Sequence, residues 1–323
     1  MNRIFSKKHA AIFIKLSISI AVIGYLLGTI ETATAIDRMA SVSIGMLVAS
    51  LSLLLLVQMP LAGLRWLIVL RAINAVMPYW KAVQIFMIGW FFNQVLPSSV
   101  GGDGVRIFLA HRGGMQLGAA VNGIMLERLA TAVALLLLVV CTFPFLIDHI
   151  QDDFVTNAIL FMSVALSLVL VVLMFLDKLP VKFRRWPIVQ GLAKLAADTR
   201  RLFGTPRYAI GTLSTALVGH INVALATYVL AVGLDIQVSL FDCIVLVPPV
   251  FLVMAMPISM AGWGVREGAM VVMFGLINVP DESALALSLT LGIVTIVASF
   301  PGAVLFVLSD DRENILRKGG GRN

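Results

Sequence analysis

Apolar residues in this chain come in long unbroken runs rather than at alternating or helical spacing. The runs cover roughly 12–30, 41–64, 117–147, 154–176, 208–232 and 283–308. A helix crosses a hydrocarbon core with about 20 apolar residues, so these predict about six full transmembrane helices. Two further runs, 80–96 and 240–257, stop short. Each is followed by a glycine-containing break and a segment, 105–112 or 265–277, too short or too polar to span. They predict two re-entrant helical hairpins, about 80–112 and 240–277, each entering and leaving the membrane on one side. Non-helical backbone survives at that depth only where protein or a water-filled cavity surrounds it.

The two breaks are copies of each other. Pro97-Ser-Ser-Val-Gly-Gly-Asp-Gly-Val-Arg106 recurs 160 residues later as Pro257-Ile-Ser-Met-Ala-Gly-Trp-Gly-Val-Arg266. The shared pattern is P-x-S-x-x-G-x-G-V-R, without gaps. Pro97 and Pro257 end their helices, and Gly102, Gly104, Gly262 and Gly264 permit tight turns and close backbone approach. Ser99 and Ser259 complete the repeat. Interrupted apolar segments at matching places in two halves point to a transporter-type binding site.

Composition supports this reading. The chain is 60% hydrophobic and 13% charged, against about a quarter charged in soluble domains. It is read as one all-α polytopic membrane domain, residues 1–323. The net charge of +7 does not imply nucleic acid, because the cations sit in short loops between apolar runs. Lys178, Lys182, Arg184, Arg185, Lys194, Arg200, Arg201 and Arg207 crowd the loop 177–207, which is therefore cytoplasmic. Both termini are basic and also cytoplasmic, placing the chain in the cytoplasmic membrane, and Arg65, Arg71, Lys81 and Arg112 mark further inner loops. The opposite loops carry Glu31, Asp37, Asp148, Asp152, Asp153, Asp235, Asp281 and Glu282. On this count the first hairpin opens from the cytoplasm and the second from outside, an inverted repeat. The first 35 residues have the layout of a signal peptide, ending in Ala33-Thr-Ala35; an uncleaved first helix is expected. The loop 177–207 is expected to hold an amphipathic helix lying on the anionic inner leaflet. Cys141 and Cys243, in apolar surroundings, read as small core residues.

Asn93, Leu96-Pro97, Gly101-Gly102-Asp103, Arg106 and Glu127-Arg128 resemble the signature of the lysylphosphatidylglycerol synthase transmembrane-region family of flippase-like membrane proteins. Pro257, Ser259, Gly262, Gly264 and Arg266-Glu267 resemble its second signature. The resemblance covers essentially the whole chain. It implies movement of a phospholipid across the bilayer, with a separate soluble domain making the modified lipid in the best-known members. The chain ends soon after its last apolar run, so no aminoacyl-transfer domain is expected, and synthase activity is not.

Candidate chemistry rests on charges inside apolar segments, each costing about 2.5–3.5 kcal/mol at a helix centre. The candidate substrate-binding residues are Asn93, Asp103, Arg106, Glu127, Arg128, Arg266 and Glu267. Asp103 is expected near a helix N-cap, and Arg106 either pairs with it or holds a lipid phosphate. Arg266 repeats Arg106, whereas Glu267 has no counterpart, since Ile107 stands there. Two arrangements stay open. The arginines meet on one anionic headgroup, or each pairs across the halves, Arg106 with Glu267 or Arg266 with Asp103. Glu127 and Arg128, adjacent on one helix, point about 100° apart and need partners elsewhere, the first hairpin being nearest. Asn93, four residues before Pro97, is placed to bond backbone freed by the break. His220 and Asn222 read as interhelical hydrogen-bonding groups.

No metal, nucleotide or nucleophile motif stands out, so neither a catalytic residue nor a cofactor is assigned. The expected function is a lipid flippase or transporter working by alternating access on a phospholipid or lipid-linked headgroup. Membrane lipids are the partners, together with a possible lipid-modifying enzyme. The alternatives are a membrane-embedded lipid-phosphate enzyme resembling a polyprenyl-pyrophosphate phosphatase, or a non-catalytic envelope scaffold.

Overall fold

The computed structural model describes residues 32–96, 101–147, 153–175, 187–254 and 262–309, with a few isolated positions before them. Every regular element among these is a helix. In chain order they are α1 (Thr32–Ala40), α2 (Ile44–Ser52), a π-helix (Leu53–Gln58), α3 (Met59–Ala72), α4 (Tyr79–Val95), α5 (Gly101–Arg112), α6 (Leu117–Ile147), α7 (Asp153–Phe175), α8 (Pro187–Gly204), α9 (Pro206–Gly233), α10 (Leu240–Met254), α11 (Val265–Gly275) and α12 (Asp281–Leu308).

Among the described residues, four helical stretches are long and apolar enough to cross a bilayer: Ile44–Ala72, Leu117–Ile147, Pro206–Gly233 and Asp281–Leu308. The predicted run 154–176 becomes α7, with an apolar stretch of Thr156–Leu168. The run 12–30 lies almost wholly outside the described residues. At 1.5 Å per residue, α4, α5, α10 and α11 reach only about 16–26 Å, short of the ~30 Å hydrocarbon thickness.

One boundary differs from the sequence reading. The apolar run 41–64 stops at Arg65, which predicts an inner loop there. Instead α2, the π-helix and α3 form one continuous rod to Ala72, with Arg65 buried inside it. Its charge is met by a carboxylate from another helix, which removes the reason to end the span.

α3 and α9 run antiparallel. Ile68 packs at Gly211 near one end, and Met46 of α2 packs at Gly233 near the other. The Ser43 N–H also donates to Gly233 O, 3.3 Å. The π-helix is tied to α9, where Asn222 Nδ2 donates to Leu53 O (3.1 Å) and to Gln58 Oε1 (3.3 Å). A π-turn loosens the regular backbone ladder and is often found at functional sites; Asn222 fills one of the loosened acceptors.

α4 and α5 pack along each other as an antiparallel pair. Gly89 faces Arg106 and Gly102, and Leu96 faces Gly101. The approach is close enough that a Cβ at Gly102 would lie 1.9 Å from Gly89 O. The connection into α4 and the connection out of α5 lie side by side, lining one cavity of about 420 Å³ that includes Asn74, Lys81, Gly114 and Gln116. α10 and α11 form the second pair, with α11 packed on α12. Gly262 and Gly264 turn the chain into α11 with φ of +85° and +83°, a region that β-carbon-bearing residues avoid.

The amphipathic helix expected in the loop 177–207 is α8, but its apolar face is not left to the lipid. Leu202 is fully buried against Val69, Ala72, Leu126 and Ala130, and Asn122 Nδ2 donates to Asp198. α8 thus docks on α3 and α6, because burying the face in protein also satisfies Asn122.

Candidate functional site

Five charged side chains from three helices form an alternating string around the first hairpin. Arg65 of α3 donates through Nε (2.8 Å) and Nη2 (2.6 Å) to Glu127 Oε1. Arg106 of α5 donates through Nη1 to Glu127 Oε2 at 3.0 Å. The same Nη1 lies 3.5 Å from Asp103 Oδ1, and Arg128 Nε donates to Asp103 Oδ2. Arg65, Asp103, Arg106 and Glu127 are all buried, while the Arg128 side chain is 47% exposed. The string reads plus, minus, plus, minus, plus, with each carboxylate lying between two arginines.

Glu127 and Arg128 therefore find separate partners, as their 100° separation requires, and those partners lie on the first hairpin and on α3. Asp103 does not cap a helix. α5 is already helical at Gly101, so Asp103 sits within the first turn and turns both oxygens to arginines. Asn93 behaves as expected, its Oδ1 accepting the Gly102 N–H at 2.9 Å.

The Arg106 guanidinium lies between two aromatic faces, 4.6 Å from the Trp66 ring and 4.5 Å from Phe86. Its stem crosses α4 at Gly89, where any side chain would collide with it. Cation–π contact stabilises the charge but occupies no hydrogen-bond donors. Arg106 Nε and Nη2, and Trp66 Nε1, are buried without a hydrogen-bond partner.

The second hairpin solves the same problem locally. Arg266 donates through Nε (3.0 Å) and Nη2 (2.6 Å) to Glu267 Oε1, and through Nε to Ser288 Oγ at 3.2 Å. Glu267 Oε2 accepts the Gly264 N–H at 2.6 Å, satisfying a free donor at the start of α11. The guanidinium packs over Gly292 of α12 and 4.7 Å from the Trp263 ring. Trp263 stands where the first copy has Asp103, so one repeat position meets its arginine with charge and the other with a ring face. The cross-half pairings, Arg106 with Glu267 and Arg266 with Asp103, are not formed. Each arginine is closer to a carboxylate of its own half, and that carboxylate takes it.

Between the halves lies a cavity of about 260 Å³. It is lined by Phe86, Trp90 and Gln94 of α4, by Arg266 of α11, by Leu291 and Thr295 of α12, and by Gln58 of the π-helix. Phe86 is shared, with its ring lying against Arg106 and also lining the cavity with Arg266. His220 Nε2 is 3.1 Å from Thr131 O, an interhelical contact away from this cavity's lining. Among the described residues, no group of three His, Cys, Asp or Glu side chains could hold a metal.

Pro97, Ser99, Pro257 and Ser259 lie outside the described residues. Gly104 is exposed and nothing lies near its Cβ position, so packing does not explain the glycine there. Sequence reasoning missed Arg65, Trp66, Phe86, Gln58 and Ser288. The one available signal was Glu127, a carboxylate at membrane depth that needs more than one cation.

No curated protein and no solved structure shows significant similarity to the chain. The sequence pattern of the family described as Lysylphosphatidylglycerol synthase TM region does match, over residues 12–302. That span takes in both hairpins, the charged string and the cavity between the halves. The chain is a membrane protein of the lysylphosphatidylglycerol synthase TM region family.

Proposed function

We propose that this protein moves a phospholipid or lipid-linked headgroup across the cytoplasmic membrane, with the anionic group held between the two hairpins. The observation that carries this reading is the unused binding capacity around Arg106. A buried guanidinium with two unpartnered donor nitrogens is costly in an apolar setting unless an anion completes it. A phosphate would satisfy those donors, since arginine presents paired donors suited to phosphate. Arg266 faces the neighbouring cavity, so displacement of Phe86 would place both arginines around one headgroup.

The alternating-access reading rests on the ends of the hairpins. α4 and α5 open at the end where α3 finishes, and α10 follows α9 at the opposite end. That arrangement supports two re-entrant hairpins entering from opposite faces, an inverted repeat of the kind that exposes one site to each side in turn. The basic loops support a cytoplasmic location for both termini. No catalytic residue or cofactor is assigned.

The test is translocation of fluorescent phospholipids in proteoliposomes. Wild type is expected to equilibrate label between leaflets faster than empty vesicles, with Arg106→Gln and Arg266→Gln each slowing it at least tenfold. Wild type matching empty vesicles across anionic and zwitterionic lipids, with and without a proton gradient, sinks the proposal. Single cysteines beside the two hairpins are expected to label from opposite sides; labelling from one side refutes the inversion.

A further inference from the structure

The end of the bundle where α3 finishes carries a second charged feature, remote from the hairpin arginines. An open cavity of about 700 Å³ there is lined by Arg71, Asn74, Arg207 and Tyr208, with Leu64 and Ile68 forming its apolar wall. The adjoining 420 Å³ cavity shares Asn74, Ala75 and Val76 with it and adds Lys81 and Lys194. No acidic residue lines either cavity among the described residues. Among the described residues, neither Arg71 nor Arg207 has a carboxylate partner, although they share one groove.

Unpaired like charges brought together without a counterion repel, and an anion between them removes the repulsion. The apolar features at the same end indicate where that anion comes from. Val76 is 92% exposed and Trp80 73% exposed, beside the groove. Exposed apolar side chains next to a row of cations suit the headgroup–acyl boundary, where tryptophan and tyrosine concentrate. Leu64 and Ile68 continue the groove along the outer face of α3. From Arg71 to Leu64 is seven residues, about 10 Å along the axis, enough to carry the groove from phosphate depth into the upper acyl chain. The loop between is held in place, since Arg201 Nη2 donates to Asn74 Oδ1 at 2.9 Å.

We infer that this groove binds an anionic phospholipid of the adjacent leaflet, its phosphate between Arg71 and Arg207 and one acyl chain along Leu64 and Ile68. The site is separate from the cavity between the hairpins and does not depend on transport taking place. Basic pockets between helix ends suit such headgroups, each cation contributing about 1 kcal/mol near the surface.

The test is native mass spectrometry of the purified full-length chain with added phosphatidylglycerol or phosphatidylcholine. Wild type is expected to retain phosphatidylglycerol and not phosphatidylcholine. Arg71→Gln/Arg207→Gln is expected to bind it roughly thirtyfold more weakly, from about 1 kcal/mol per cation. Arg38→Gln, a charge loss elsewhere, is expected to bind as wild type does. Val76→Glu leaves the arginines in place at an exposed position and is also expected to weaken retention, so it carries the test should the double variant fail to fold. Equal retention by the double variant or by Val76→Glu overturns the inference. So does equal binding of phosphatidylcholine, displacement of the lipid by equimolar inorganic phosphate, or an acidic protein occupying the groove instead.

Discussion

Glu127→Gln is the most direct test of the charged string. Glu127 takes both donors of Arg65 on one oxygen and Nη1 of Arg106 on the other. A glutamine keeps the shape but removes the one negative charge shared by Arg65 and Arg106, and turns an NH₂ group toward one arginine. Removing one partner of a buried ion pair costs about 3–5 kcal/mol, because the remaining charge stays buried. At roughly 2 °C per kcal/mol for a chain of this size, the unfolding midpoint should fall by about 6–10 °C. The assay is thermal unfolding in detergent, run as a double-mutant cycle with Arg65→Gln. The pair Arg65→Gln/Glu127→Gln restores the original charge balance, so it should cost less than the sum of the two by about 2 kcal/mol, within the range for contacting groups. A midpoint for Glu127→Gln within a degree of wild type, or strict additivity, refutes the pairing as the reason for Glu127.

Three further outcomes follow from packing and hydrogen bonding. Gly102→Ala should lower the unfolding midpoint by about 1–3 kcal/mol equivalent through overpacking against Gly89 O, whereas Gly104→Ala, with open space at its Cβ, should be neutral or slightly stabilising. Asn222→Leu should cost about 1–3 kcal/mol in the same assay by stripping the donor from Leu53 O and Gln58. Ser288→Ala should slow translocation less than threefold, since Glu267 alone still holds Arg266; a loss as large as that of Arg266→Gln would assign Ser288 a direct role.

The apolar runs made the bundle legible because hydrocarbon demands length and internal hydrogen bonding, and both leave a plain trace in composition. The repeat was legible for the same reason, since only a break inside an apolar run needs proline and clustered glycine. Arg65 was not legible. An arginine at the edge of an apolar run looks alike whether it ends the helix or is buried in it, and the difference is set by Glu127, 62 residues away in sequence. The aromatic clamp on Arg106 was hidden too, because Trp66 and Phe86 resemble any other apolar position until α3 and α4 are set beside α5. The sequence reading placed Asp103 near an N-cap because it began the helix at Val105, when the described helix already includes Gly101.

The two copies of the repeat hold their arginines differently, and the difference predicts which hairpin moves. Arg106 is bonded to Glu127 on α6 and shares that carboxylate with Arg65 on α3, so shifting α5 away from α6 breaks a buried ion pair. Arg266 is bonded to Glu267, its neighbour on the same helix, so the pair travels with α11. The polar links from that pair to α12 are the Ser288 contacts at 3.2 and 3.4 Å. Losing these charge-assisted hydrogen bonds costs about 1.5–3 kcal/mol each, against about 3–5 kcal/mol for each of the ion pairs Arg106–Glu127 and Arg128–Asp103 that tie α5 to α6. The second hairpin is therefore the one expected to be displaced at the lower cost, with the first staying as the wall of the cavity. Hydrogen exchange on reconstituted protein should show α11 amides changing protection when an anionic phospholipid replaces a zwitterionic one, while α5 amides stay constant. Larger changes in α5 than in α11 would reverse the assignment and locate the mobile element in the hairpin that carries Arg106.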